Sequence, residues 1–170
     1  MKKYFWKSLR KADEELGALE LFKRTGKKIL EKIITGRYSK REFDVNNCGG
    51  KILNLSWKNA KITKKGIEIV KTHLSRFESV TSNRKMLDRL EKIEAGEITV
   101  TDWDKRFYTH ELRECERYKN LGVKDGIQTD YNAYNDLHTA TLEDFKLIEI
   151  DDLGNENLYH PIVNPEDFHF

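Results

Sequence analysis

The sequence is poor in residues that break helices or form covalent cross-links. Its 170 residues include two prolines and two cysteines. The scarcity of proline favours helices over a many-turned β structure. Cys48 and Cys115 lie far apart and match no zinc or redox spacing, which argues against a disulfide scaffold and is typical of free thiols in a cytosolic protein.

Long apolar runs and a strong net charge are also lacking. No stretch is apolar enough to span a bilayer, and no apolar run follows residues 1–6, so we expect no membrane partner and no signal peptide. We therefore expect a cytoplasmic site of action. The net charge of +2 does not by itself predict a nucleic-acid partner.

The charge is unevenly distributed along the chain. Basic residues outnumber acidic ones within residues 1–41, whereas the last forty residues are acidic. Apolar positions at helical spacing predict one or two amphipathic helices over residues 8–35, and the turn residues between Asn46 and Gly50 mark a boundary. We interpret residues 1–42 as a basic helical arm that allows a polyanion partner, and residues 43–170 as the core domain.

The core domain is predicted to be mainly α-helical, α+β at most. Periodic apolar residues predict helices near 63–77, 83–95, 102–121 and 131–145, with a short strand or hairpin near 50–57 and a short strand at 147–150. Candidate N-caps are Thr63 for the first helix, Ser82 or Asn83 for the second, and Thr101 or Asp102 for the third. Gly96 and Gly122 are predicted to end the second and third helices.

Titratable residues occupy helix faces that should be apolar. On the third helix an aromatic stripe also carries two glutamates, with a histidine at its edge; its members are Trp103, Phe107, His110, Glu111, Glu114 and Tyr118. His73 and His138 lie in the same way on the apolar faces of the first and fourth helices. Buried carboxylates need compensating partners, so we expect these groups to form one cluster suited to acid–base chemistry.

Motif comparison leaves the chemistry of this cluster open. The run His110-Glu111-Leu112-Arg113-Glu114 begins like the zinc-peptidase pattern H-E-x-x-H, but a glutamate stands where the second histidine belongs. His110 and Glu114 could still bind a divalent metal with His138 as the third ligand, because zinc accepts two histidines and one carboxylate. No other cofactor is predicted. No glycine-rich phosphate loop and no recognisable nucleophile motif is present.

The stretch from residue 49 to residue 160 resembles the C-terminal toxin domains of bacterial polymorphic toxins, of the Gram-positive type. The similarity is carried by the segments GKILNL (50–55), ITKKGI (62–67), HLSRF (73–77), FYTHELRE (107–114), NDLHTATLED (135–144) and LYHP (158–161). The resemblance implies an effector that most often cuts nucleic acid and is neutralised by a cognate immunity protein. It also implies secretion as part of a larger protein, or a phage-borne copy.

Together these features favour a nuclease, in particular an RNase. In this hypothesis His110, His138 and His73 act as general acid and base, Arg76 binds the phosphate, and Glu111 and Glu114 orient the histidines. Further substrate-binding candidates are Lys71, Tyr108, Arg113 and Thr141. Two alternatives remain: a metal-dependent hydrolase such as a peptidase, with Glu111 as its base, and a non-catalytic binding module with a buried polar network.

Overall fold

A computed structural model describes residues 32–77, 80–164 and 167 of the chain. In these residues a short hairpin precedes four helices: β1 (Ile33–Thr35), β2 (Glu42–Asp44), α1 (Lys64–Leu74), α2 (Thr81–Glu94), α3 (Asp102–Asn120) and α4 (Tyr131–Phe145). The predicted mainly α fold with a small β component is confirmed. Of the helices described, none has the length and apolar character needed to cross a membrane.

The predicted signals at the helix ends act as expected at several positions. Thr63 accepts a hydrogen bond from the backbone N–H of Gly66 at the start of α1. Thr101 and Asp104 form a reciprocal capping box at the start of α3. Gly96 and Gly122 both have a φ of 76° directly after α2 and α3, a left-handed conformation that glycine adopts without a steric penalty.

The start of α2 differs from the prediction. Its N-cap is Val80, which offers no side-chain hydrogen bond, and the helix begins at Thr81. Ser82 and Asn83 therefore lie inside the helix, and the prediction of either as the cap was wrong. Ser82 is buried within the domain rather than placed at an exposed helix end.

Neither predicted strand forms as such. Residues 51–57 form neither a strand nor a helix, and they are bound to the end of α4: Asp144 accepts from the backbone N–H of Leu53 through its carboxylate and from that of Leu55 through its carbonyl. Residues 147–150 contribute one isolated bridge, between Ile150 and Glu156.

The hairpin forms where the helical arm was expected to end. Residues 1–31 lie outside the described residues, so the predicted arm helices there are not described. Residues 33–35 are a strand rather than a helix end, in keeping with the β preference of the Ile-Ile-Thr run. The pairs Ile33–Asp44 and Ile34–Phe43 cross the boundary predicted between residues 42 and 43, so residues 32–42 belong structurally with the core.

Glu143 of α4 attaches the hairpin to the helices. Its carboxylate accepts from the backbone N–H groups of Arg37 (3.0 Å), Tyr38 (3.0 Å) and Ser39 (2.8 Å), and from the Ser39 hydroxyl (2.7 Å). These donors converge on one ionised acceptor, and hydrogen bonds to charged groups are the stronger ones. The turn between β1 and β2 is thereby held against α4.

Helix α3 lies at the centre of the described helices, because it alone contacts each of the other three. The main apolar cluster joins α1, α2 and α3 through Ile67, Val70, Leu74, Met86, Leu90, Phe107 and Tyr108. A second cluster joins the end of α4 to the tail through Leu142, Phe145, Leu147 and Leu158. The inward stripe of α3 thus faces α1 on one side and α4 on the other.

The attachment by Glu143 can be tested by substitution. Glu143→Gln removes the charge and one acceptor oxygen while keeping the shape, so we expect it to lower the free energy of unfolding by about 1.5–3 kcal/mol. Urea denaturation measures this change. Glu94→Gln, at an exposed position of α2, is the matched control and should stay within about 0.5 kcal/mol of the parent. Equal stability of the two variants would contradict the assigned role of Glu143.

Candidate metal centre

The candidate site lies between α3 and α4. His110 and Glu114 stand one turn apart on α3, and His138 faces them from α4. All three residues are buried, with 0%, 2% and 5% of their surface exposed. The periodicity that placed each of them on an inward stripe therefore predicted their burial correctly.

Three potential ligand atoms of these residues form an almost equilateral triangle. His110 Nε2 lies 2.9 Å from Glu114 Oε2 and 2.9 Å from His138 Nδ1, and His138 Nδ1 lies 3.0 Å from Glu114 Oε2. A proton on one nitrogen can point along one edge of this triangle or be shared between two edges, but it cannot satisfy all three. Three ligand atoms that converge at this spacing suit a bound cation, which would take the place of the protons on the ring nitrogens.

The dimensions of the triangle fit a divalent transition metal. Histidine nitrogens and carboxylate oxygens bind such metals at about 2.0–2.2 Å. Ligands at these distances are about 2.9 Å apart at the angle of about 90° in octahedral coordination and about 3.4 Å apart at the tetrahedral angle common for zinc, so the triangle has the spacing of an octahedral face. Two histidines and one carboxylate on one face of an ion leave its other coordination positions open. Among the described residues this is the one group of three that meets the geometric requirements for a metal ion.

The outer nitrogen of His138 faces a carboxylate, as in many metal sites. His138 Nε2 lies 3.5 Å from Glu149 Oε2, and Arg41 holds the same Glu149 oxygen at 2.7 Å. The second Arg41 nitrogen donates to Asn135 Oδ1 at 3.0 Å. A carboxylate near the outer nitrogen favours a proton there, so the inner nitrogen is the one that would bind a metal once its own proton is displaced.

Sequence reasoning missed Glu149 and Arg41. A two-residue alternation after α4 would have placed Glu149 on the same side as the buried Leu147, which is the one signal available for it. Arg41 lay in the predicted arm and reaches Glu149 across 108 residues of sequence, so no local pattern could identify it.

Burial and mutual contact set the charges of the cluster. Burial alone would raise the pKa of Glu114, but hydrogen bonds from His110 and His138 outweigh it and hold that pKa well below its usual value. Burial and the neighbouring Glu114 charge raise the pKa of Glu111 well above its usual value. Glu114 is therefore the ionised member of the pair, and Glu111 is the carboxyl that holds a proton most readily.

The pKa values of His110 and His138 are also shifted in opposite directions. Burial lowers the pKa of His110 despite its bond to Glu114. Burial also acts to lower the pKa of His138, but the carboxylates of Glu114 and Glu149 raise it to about 10. A metal ion must displace a proton from His138, as is general for metal binding by protonated ligands.

A third histidine completes the cluster from α1. His73 Nε2 lies 3.5 Å from both Glu111 Oε2 and Glu114 Oε1, and Arg76 Nε donates to His73 Nδ1 at 3.1 Å. The structure therefore brings together all six residues predicted as the catalytic group: His73, Arg76, His110, Glu111, Glu114 and His138.

The four predicted substrate-binding residues make contacts elsewhere. Lys71 pairs with Glu91 at 2.6 Å on the surface, and Tyr108 Oη lies 3.3 Å from the Thr63 hydroxyl at the cap of α1. Arg113 Nε donates to Asp144 at 2.7 Å, and the Thr141 hydroxyl donates to the carbonyl of Leu137. These contacts stabilise the helices and do not reach the triangle.

No family model, no curated protein and no solved structure matches this chain. The resemblance to polymorphic toxin domains accordingly stays a prediction. The chemistry of the site must therefore be inferred from its geometry.

The metal centre predicts that zinc stabilises the protein. Zinc at 100 times its Kd should add about 2.7 kcal/mol to the free energy of unfolding, because it binds the folded chain alone. Differential scanning fluorimetry with and without zinc measures this effect, and elemental analysis of the dialysed protein should find one equivalent. His110→Ala, Glu114→Gln and His138→Ala should each abolish the effect.

His160→Ala is the control for these substitutions. His160 packs at 5.9 Å against Trp103 and lies outside the triangle, so zinc should stabilise this variant as much as the parent. Full zinc stabilisation of the Glu114→Gln variant would show that the triangle is not the binding site.

Proposed function

We propose that this domain is a metal-dependent hydrolase whose ion is held by His110 Nε2, Glu114 Oε2 and His138 Nδ1. The observation that supports this proposal is the buried triangle of three potential ligand atoms at 2.9–3.0 Å. Three protein ligands are the usual complement of a catalytic zinc site, in which a further position is left for water.

Glu111 is the candidate general base. A metal ion in such a site lowers the pKa of a bound water to about 7 and stabilises the negative charge of the transition state. The Glu111 carboxyl is buried beside Glu114 and its pKa is raised, both of which suit a group that takes a proton from water and returns it to a leaving group. His110 and His138 are then ligands rather than acid and base.

The geometry favours a metal over a metal-free RNase mechanism. In metal-free cleavage an acid and a base stand on opposite sides of the scissile phosphate, so a space must separate them. His110 Nε2 and His138 Nδ1 contact each other at 2.9 Å and share one carboxylate. No phosphate fits between two ring nitrogens in contact.

The proposed substrate is a phosphodiester in nucleic acid, with RNA as the first case. This part of the proposal rests on the resemblance to toxin domains and on the half-buried Arg41 guanidinium beside Glu149, a cation that a phosphate could engage. A toxin role would include a cognate immunity protein that blocks the site.

Inducible expression in a bacterium tests the function. We expect growth arrest with degradation of RNA or DNA on gels, and cleavage of the same nucleic acid by purified protein when zinc or manganese is added. Glu114→Gln should lose both metal and activity. Glu111→Gln should keep the metal but lower kcat at least about 100-fold, the contribution typical of a general base.

Two outcomes would overturn parts of this proposal. Metal binding without cleavage of RNA or DNA would reject the phosphodiester substrate, and peptide and ester substrates would then be assayed with the same variants. Full activity of the Glu111→Gln variant would reject Glu111 as the base. His160→Ala should keep parental activity in every assay.

A further inference from the structure

Arg76 is a buried cation whose contacts are almost all neutral. Its guanidinium lies 4.0 Å from the centre of the Tyr118 ring and donates from Nη1 to the carbonyl of Ile127 at 3.1 Å. The nearest acidic oxygen, on the half-exposed Asp125, is 3.7 Å from Nη2. The remaining donor, Nε, is directed at His73, where it reaches the backbone carbonyl at 2.9 Å and ring Nδ1 at 3.1 Å.

This contact determines which His73 nitrogen carries the proton. An arginine side chain stays protonated in proteins and has no acceptor, so its Nε always donates. The single Nε proton is shared between the His73 carbonyl and Nδ1, and a proton on Nδ1 would point at it from 3.1 Å, so Nδ1 carries the lone pair. A histidine with an unprotonated Nδ1 carries its proton on Nε2.

The Nε2 proton lies between the two glutamates of α3. Glu111 Oε2 and Glu114 Oε1 are both 3.5 Å from Nε2. Glu114 Oε1 is the oxygen that does not belong to the triangle. Neither it nor His73 Nε2 has a hydrogen-bond partner among the described residues, so the 3.5 Å contacts of Nε2 with the two glutamates are the polar approaches on this side. A donor on this side holds the Glu114 carboxylate so that its second oxygen, Oε2, faces His110 and His138.

We infer that His73 is a positioning residue, fixed by Arg76 as an Nε2–H donor that orients Glu114 toward the metal and Glu111 beside it. The effect of His73 on metal binding rests on the proposed metal centre, whereas the position of the proton on its ring does not. It removes His73 from the acid–base roles and Arg76 from phosphate binding.

The same tautomer limits the number of metal ions. His73, Glu111 and the free oxygen of Glu114 could be taken for a second metal site that shares Glu114 with the first. Metal binding at His73 would need a lone pair on Nε2, and the Nε2 proton cannot move to Nδ1 while Nδ1 faces the Arg76 donor. The cluster should therefore hold one ion.

NMR of the wild-type protein with ¹⁵N-labelled histidine tests the tautomer directly. The His73 signals, assigned by their loss in His73→Gln, should show an unprotonated Nδ1 and a protonated Nε2, both without metal and after zinc is added. Zinc should shift His110 Nε2 and His138 Nδ1 instead. A proton on His73 Nδ1, or a zinc-induced shift of His73 Nε2, would overturn the inference.

The metal-free spectrum separates the two proposals. If zinc shifts no histidine, the metal centre fails while the tautomer of His73 is still measured. If zinc binds but His73 carries its proton on Nδ1, the positioning role fails while the metal centre stands.

Substitutions at His73 test the effect on the metal. His73→Leu removes the donor and should weaken zinc binding about 10–100-fold, the usual effect of losing an outer partner of a ligand. His73→Gln keeps an amide donor of similar reach and should recover most of this loss. Thr72→Ala, on the exposed face of the same helix, should bind zinc like the parent. Equal affinity of the Leu and Gln variants would contradict a role through hydrogen bonding.

Arg76→Met provides a second test that leaves His73 in place. Without the Arg76 donor, Nδ1 is free to carry the proton, so the NMR signals should show a mixture of both tautomers. An unchanged single tautomer in this variant, with circular dichroism like the parent, would show that Arg76 does not determine the proton position. The wild-type measurement stays decisive where a variant fails to fold.

Discussion

The arrangement of the helices depends on one buried charge, the carboxylate of Glu114. An ionised carboxylate taken out of water without partners costs several kcal/mol, so its oxygens must be satisfied from within the fold. His110 lies on the same helix, but His138 comes from α4 and His73 from α1. The three helices therefore meet at the Glu114 carboxylate. Loss of any one of its histidine partners leaves the charge of this buried group incompletely compensated.

Other buried acids follow the same rule farther from the site. Asp144 lies at the end of α4 and receives Arg113 and Arg117 from α3, together with the backbone N–H of Leu53. Asp104 receives both nitrogens of an Arg89 fork while it caps α3. Each acid joins segments that are distant in sequence, so the charged residues of the interior specify which elements pack together, whereas the apolar clusters supply the bulk of the burial.

The sequence allowed the helices and the core of the site to be predicted because both depend on local spacing. Helix α3 carries His110, Glu111 and Glu114 together with Phe107 and Tyr118. Residues three and four positions apart lie on one face of a helix, and this does not depend on the rest of the fold. His73 and His138 lie on the apolar faces of α1 and α4, and packing of these faces into one small core brings them to the residues of α3. The structure does bring these residues into one cluster, and the roles proposed for His110, His138, His73 and Arg76 differ from those expected from the sequence.

What the sequence could not predict depends on contacts between distant segments. The hairpin forms because Glu143, about a hundred residues away, accepts from the turn at Arg37 to Ser39, and nothing in residues 33–44 shows that partner. The role of His73 likewise required its distances to Arg76 on one side and to the glutamates on the other. Spacing identifies which side chains share a face, but not which atom of a ring carries a proton.

The cluster also has two unlike sides. On the side of α1, His73 and Arg76 have completely buried side chains and are enclosed by the rings of Phe77 and Tyr118, which leaves no room for a substrate. On the opposite side, the side chains of Glu149 and Arg41 are 27% and 29% exposed, and His138 lies directly beneath them. Among the described residues, exposure thus rises from the positioning side to the side of His138. In the proposed metal site the enclosed side would orient the ligands and the more exposed side would be the one that a reactant reaches, and α3 carries the residues between them because it lies between α1 and α4.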